Sequence, residues 1–179
     1  MPTKILPIET RDFTRKGKTK EILNEVINAI PPGSDVWVIG GAARNAVYFE
    51  LFKNALPQRD FDLVFIGNKE KFVESLRKKQ FCFGRIRRKE EIVMRKKLVQ
   101  KPKTTADYLF LDIHISKERS IIKNLENNAA FTINGFAIPL KKYLSNDLLK
   151  YTKALPYAFS DIKKKQLRVN LKGYKVHPG

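Results

Sequence analysis

Apolar residues recur along this chain with two different periods, and the switches between them mark its elements. Ile22, Leu23, Val26 and Ile30 stand at helical spacing, so 20–30 reads as a helix stopped by Pro31-Pro32-Gly33. Val36 to Ile39 is a short apolar run with the look of a strand. The stretch from Ala42 to Asn54 returns to helical spacing and is expected to bury Ala43, Ala46, Val47 and Leu51. Pro57-Gln58 turns the chain into a strand from Phe61 to Ile66, which Gly67-Asn68 ends. A helix over 69–79, a strand over 80–86, a strand over 108–115 and a helix over 120–127 follow, the last with Ser120 as its N-cap. Residues 85–108 are the most cationic stretch and read as strand edges around a mobile basic loop at 101–105. Strands and helices alternate irregularly, which predicts an α+β fold: one mixed β-sheet flanked by helices.

Charge sharpens that outline. The chain has 179 residues, enough for one domain with a real core, and 42% of them are apolar. Lys and Arg number 36 against 18 Asp and Glu, a net charge of +18. So large a surplus predicts a polyanionic partner, because each phosphate neutralised by Lys or Arg releases a counterion. Nucleic acid is favoured over an anionic membrane surface, and no segment has the apolar length of a transmembrane span. The only cysteine, Cys82, lies between Phe81 and Phe83 and is expected to be a buried small hydrophobe. A lone thiol makes no internal disulfide, so a reducing, cytoplasmic location is expected.

Candidate chemistry gathers in "VWVIGGAARNAVYFELFKNALPQRDFDLVF", residues 36–65. Gly40-Gly41 between a strand and a helix lets backbone approach a ligand, and the helix N-terminus offers free N–H groups to phosphate. A dinucleotide-binding turn would need G-x-G-x-x-G, and here the pattern stops after two glycines. Asp60 and Asp62 alternate with Phe61, so both carboxylates leave one strand face, about 7 Å apart, while Phe61, Leu63 and Phe65 face the core. Like charges so placed repel unless a cation holds them, and hard oxygen ligands suit Mg²⁺. Asp112, inside the apolar run "YLFLDIHIS", is a third acid if its strand lies beside 61–66; Glu90 or Glu91 is the alternative. Such a trio can hold the paired ions that phosphoryl and nucleotidyl transfer use. His114 shares the Asp112 face and reads as a neighbour hydrogen-bonded to a carboxylate. Trp37 reads as core and His177 as a tail residue.

These segments together resemble the class II tRNA nucleotidyltransferases and bacterial poly(A) polymerases. "VWVIGGAARN" and "PQRDFDLVF" are similar to that family's strand, Gly-Gly-x-x-Arg-Asp and Asp-x-Asp opening. "FLDIHISKE" resembles its Asp-Ile/Val-x-Thr-x-Arg strand, "AAFTINGFAI" its Arg-Asp-Phe-Thr-Ile-Asn-Ala segment, and "SDIKKKQLRV" its closing Asp-Leu…Leu-Arg segment. The likeness runs from residue 20 to 170, leaving a basic N-terminal segment at 1–19 and a tail at 171–179. It implies a polymerase-β-like nucleotidyltransferase head domain, with the family's neck, body and tail domains expected to be absent. Asp60, Asp62 and Asp112 would be catalytic and hold two Mg²⁺ ions, with Mn²⁺ able to replace them in vitro. Gly40, Gly41, Arg44, Lys117 and Asn134 would bind the NTP. An RNA 3′ end, tRNA above all, would be the acceptor. Arg85, Arg87, Arg88, Arg95, Lys96, Lys97, Lys101 and Lys103 are the candidate RNA-binding cations, better suited to phosphates than to stacked bases.

The chain departs from the family in two places. Asn45 stands where Asp is usual after Arg44, and Ala129-Ala130 replace the Arg-Asp before Phe-Thr-Ile-Asn. The second loss removes a cation from the nucleotide site, for which Lys117 or an arginine of 85–97 would stand in. Two expectations follow: a minimal transferase, alone or completed by a partner protein supplying RNA-binding and base-selecting domains, or a catalytically lapsed RNA-binding or regulatory protein on the same fold.

Overall fold

A computed structural model describes residues 17–54, 56, 58, 60–84 and 90–173. Candidates Arg85, Arg87 and Arg88, His177 and nearly all of the N-terminal segment lie outside them. Among the described residues seven strands form one sheet. They are β1 (Asp35–Ile39), β2 (Asp60–Ile66), β3 (Cys82–Phe83), β4 (Glu91–Lys97), β5 (Tyr108–Ile115), β6 (Phe136–Pro139) and β7 (Lys153–Ala154). Their spatial order is β3-β4-β5-β2-β1-β6-β7, and only the β2–β5 pair is parallel. The fold is α+β with a mixed sheet. Among the described residues no helix is long and apolar enough to cross a membrane.

The helices are α1 (Gly17–Ile27), α2 (Gly40–Phe52), α3 (Lys69–Lys78), α4 (Ile121–Asn128), α5 (Leu140–Tyr143), α6 (Leu148–Tyr151) and α7 (Ala158–Lys164). The main core lies on one side of the sheet. Phe61, Leu63 and Phe65 of β2 bury there against Ile22 and Leu23 of α1, Ala43 and Val47 of α2 and Phe72 of α3. Phe65 stacks on Phe72 with ring centroids 4.3 Å apart. Burying a side chain of this size stabilises by about 1.5–3 kcal/mol, so this face carries the fold. A smaller cluster lies on the other side, where Val64 and Ala137 meet Ile121, Leu125 and Ala129, with Trp37, Ile39 and Ile66 packed against it. It covers the β1–β2–β6 part of that face and leaves the acidic end of β2 clear of it.

Some elements differ from expectation. β3 is only Cys82–Phe83, at the sheet edge, and Cys82 is exposed rather than buried. Pairing with Arg95 puts Cys82 on the open side of the sheet, while Phe81 and Phe83 serve the core. Leu51 is half-buried, because α2 reaches the protein surface by its last turn. α2 begins at Gly40, so both glycines belong to its first turn.

Candidate active site

Register brings the three acids together. In the parallel β2–β5 pair Asp60 lies opposite Phe110 and Asp62 opposite Asp112, and Ile39 of β1 flanks Asp62 on the other side. Residues opposite each other in a ladder share a face, so Asp60, Asp62 and Asp112 all stand on the side away from the main core. β4 extends the row: Val93 lies opposite Asp112, and Glu91 opposite His114. Asp62, Asp112, Glu91 and His114 line a cavity of about 260 Å³ floored by the sheet. His114 thus shares the acidic cavity, as its spacing from Asp112 predicts. Glu91, an alternative third acid, lines it too, whereas Glu90 is ion-paired to Lys117.

The electrostatics of this face are those of an incomplete site. Burial, then the Asp112 carboxylate, then that of Asp60, push the Asp62 carboxyl above its ordinary range. Each influence disfavours the charged form, and a hard cation among the oxygens would reverse them. Among the described residues no three His, Cys, Asp or Glu side chains are drawn together around one point. The donors nonetheless suit a hard divalent ion, since Asp60, Asp62 and Asp112 offer only carboxylate oxygen.

Gly40 makes the approach possible. Its φ of +63° is left-handed, and a Cβ there would lie 2.6 Å from Asp62 Oδ2. Only glycine meets both demands without displacing the acid. α2 follows at once, and its N-cap, Ile39, makes no side-chain capping bond. The first-turn N–H groups of a 13-residue helix therefore open beside the acids.

Arg44, one turn further on, is clamped rather than loose. Its Nε and Nη2 donate to Asn45 Oδ1 at 3.2 and 3.1 Å, and its Nη1 donates to Asn134 Oδ1 at 2.9 Å. Asn45 Nδ2 donates in turn to Gln58 Oε1 at 2.9 Å, and Gln58 Nε2 donates to the backbone carbonyl of Asp60. Asn45 and Gln58 are both buried. A polar chain thus runs from Asn134 through Arg44 to the start of β2 and ties the guanidinium to the acidic strand. Both partners of Arg44 are neutral amides, so they leave its positive charge uncancelled. Pro57-Gln58 reads in the sequence only as a turn, and an amide beside that proline is the one local signal of the contact with Asn45.

Other candidates lie elsewhere. Lys117 is 85% exposed and ion-paired with Glu90, lining an adjoining polar pocket that meets the acidic cavity at His114 and holds Asn124 and Asn127. Lys96 leaves β4 on the core side, where it pairs with Glu25, donates to the Lys79 carbonyl and sits over the Phe81 ring. It is not on the face that carries Arg95 and Lys97, because strand alternation turns it away. Arg95, Lys97, Lys101 and Lys103 are exposed. Ala129 is buried in the smaller cluster, and its carbonyl accepts from Asn170 Nδ2 at 2.7 Å. The closing segment is anchored there too: Arg168 pairs with the buried Asp161, and Thr132 Oγ1 donates to Asp161 Oδ2 at 2.6 Å.

No family model matches the chain, and no curated protein sequence is similar to it. Its fold does match solved structures. An apo CCA-adding enzyme superposes with a TM-score of 0.60 at 20% identity, over 88% of this chain and 34% of that one. The Thermotoga maritima CCA-adding enzyme complexed with tRNA gives 0.53 at 19% identity, over 82% and 35%. A tRNA nucleotidyltransferase complexed with a primer tRNA and an incoming ATP analog gives 0.51 at 20% identity, over 84% and 38%. The chain therefore spans about a third of the length of these structures. What they share with it at this identity is the fold.

Proposed function

We propose that this chain is a nucleotidyltransferase that adds a nucleotide from an NTP to an RNA 3′ end, with tRNA the favoured acceptor. One observation carries this reading: Asp60, Asp62 and Asp112 share an open sheet face with Gly40 closed against Asp62 and Arg44 clamped one turn away. A tRNA nucleotidyltransferase of the same fold is complexed with a primer tRNA and an incoming ATP analog, which supports the choice of substrates.

The residues divide the work. The first-turn N–H groups of α2 and the Arg44 guanidinium would receive the triphosphate, two positive features on one side of the acids. Asn45 and Asn134 hold that guanidinium in place, so little side-chain freedom is lost when phosphate binds. Asp60, Asp62 and Asp112 would hold Mg²⁺, which in such sites activates the attacking hydroxyl and stabilises departing pyrophosphate. The RNA 3′-hydroxyl oxygen would form the new bond to the α-phosphorus as its proton passes to water, and pyrophosphate would leave with the electrons of the broken bond between the α-phosphorus and its bridging oxygen. Lys117, facing the neighbouring pocket, does not replace the missing arginine at the triphosphate in this arrangement.

The test is incubation with total tRNA, Mg²⁺ and each labelled NTP in turn, beside an Asp60→Ala/Asp62→Ala control. Label in RNA from one NTP, absent in the control, is expected. A second reading, an RNA-binding protein without catalysis, is favoured by Ala129, whose position is here taken up by core packing. RNA retained on a filter with no label from any NTP would establish it instead.

A further inference from the structure

Beyond the acids the open sheet face changes character. Arg95 lies opposite Phe110 and Lys97 opposite Tyr108, so β4 and β5 set two cations beside two aromatic rings on the face that bears Asp60. Both rings are half-buried and belong to neither core cluster. Their centroids are 6.5 Å apart, and the Arg95 guanidinium lies over the Tyr108 ring at 4.9 Å. Phe110 is the nearer to the acids, being the register partner of Asp60. Past Tyr108 the strip runs into the turn that carries Lys101 and Lys103. Asp107 closes that turn by accepting from the Lys103 and Thr104 N–H groups at 2.8 Å each.

The geometry points to a stacking subsite for the last two nucleotides of a single-stranded RNA 3′ end. The terminal base would lie on Phe110 and the penultimate base on the Arg95–Tyr108 stack, with Lys97, Lys101 and Lys103 on the phosphates. Three features select this occupant. The ring separation of 6.5 Å is about that of bases in an extended strand, and the strip leads directly to Asp60, where a 3′-hydroxyl is needed. Unstacked bases lie on aromatic faces and guanidinium planes, and a line of cations follows their backbone. A duplex presents no free base face and would gain only the charge contacts. The basic stretch alone carries few aromatic residues; the next strand supplies the rings through register. This subsite rests on the proposed RNA 3′ end as acceptor, but it is tested by binding rather than by turnover.

The experiment is anisotropy of a short, 5′-labelled single-stranded RNA on the full chain, in EDTA and without NTP. The same RNA ending in an abasic nucleotide and the Phe110→Leu variant complete a cycle. Removing the terminal base or the ring is expected to weaken binding about tenfold each, and removing both about tenfold again in total rather than a hundredfold. Phe110→Trp is expected to bind as tightly as the wild type. An abasic RNA that binds wild-type protein as well as the intact RNA would overturn the subsite, whatever the fate of any variant. So would two losses that simply multiply, which would place base and ring apart. Coupling that persists in a protein that transfers no nucleotide would uphold the subsite and sink the transferase reading alone.

Discussion

Two carboxylates show how differently one fold treats its acids. Asp161, at the closing segment, is completely buried and fully engaged: Thr132 donates to it, and Arg168 donates Nε to Oδ2 at 3.1 Å and Nη2 to Oδ1 at 3.3 Å. Those bonds hold its carboxyl below the usual range, the Thr132 bond most of all. Asp62, half-buried on the open face, is raised by burial and by two neighbouring acids. The sequence surrounds Asp161 with donors and Asp62 with carboxylates. An acid kept unsatisfied at a stability cost is what a binding site for a cation requires, and an acid satisfied from within is what a fold requires.

The contrast can be broken most forcefully at the acids themselves. Asp112→Ala is expected to lower nucleotide incorporation on the order of a thousandfold, a loss far out of proportion to any change in melting temperature. Asp161→Ala should do the opposite. It strands Thr132 and Arg168 and lowers the melting temperature, while the molecules that remain folded keep their turnover. Thermal melts and single-turnover incorporation measured on both variants separate the two roles.

Smaller perturbations sharpen it. Gly40→Ala forces a left-handed φ on alanine and drives its Cβ against Asp62, so it is expected to destabilise by about 1–3 kcal/mol and to weaken NTP binding. Gln58→Ala removes two buried bonds, from Asn45 Nδ2 to Gln58 Oε1 and from Gln58 Nε2 to the Asp60 carbonyl, a loss of about 1–3 kcal/mol by urea melts, and loosens the tie between Arg44 and β2. The mildest effect comes from pH. Because the folded-state pKa of Asp161 is depressed, its contribution is complete above the ordinary aspartate value of about 3.9 and is lost as pH falls through the lower folded value. Acid melts of Asp161→Asn should therefore be flatter than those of the wild type below that pH.

Much of this arrangement is legible in the residues. Alternation in "DFDL" sets Asp60 and Asp62 on one strand face, and α1, α2, α3 and α4 follow from helical spacing, but Asp112 joins the two acids only through the register of β5 on β2. Beyond residue 128 the sequence loses its voice. α5 and α6 have four residues each, and β7 has two, too short for either period to show. Cys82 misleads because a flanking pair of phenylalanines looks like core, yet alternation at an edge strand sends the residue between them outward. Lys96 misleads in reverse, hidden within a cationic run whose alternate members face opposite ways. The Asn45–Gln58 contact depends on a turn that Pro57 marks without naming its partner, and the pairing of Arg95 with Phe110 depends on a register that leaves no local mark.

The most direct test compares the melting temperatures of wild-type protein and Asp62→Asn, each with and without Mg²⁺. If Asp62 is held in repulsion for a cation, Asp62→Asn melts higher than the wild type in EDTA. Mg²⁺ then raises the wild type and has little effect on the variant. Should Asp62→Asn melt lower than the wild type, with Mg²⁺ leaving both unmoved, the acidic face would not be a cation site, and the account of this protein as a transferase would lose its foundation.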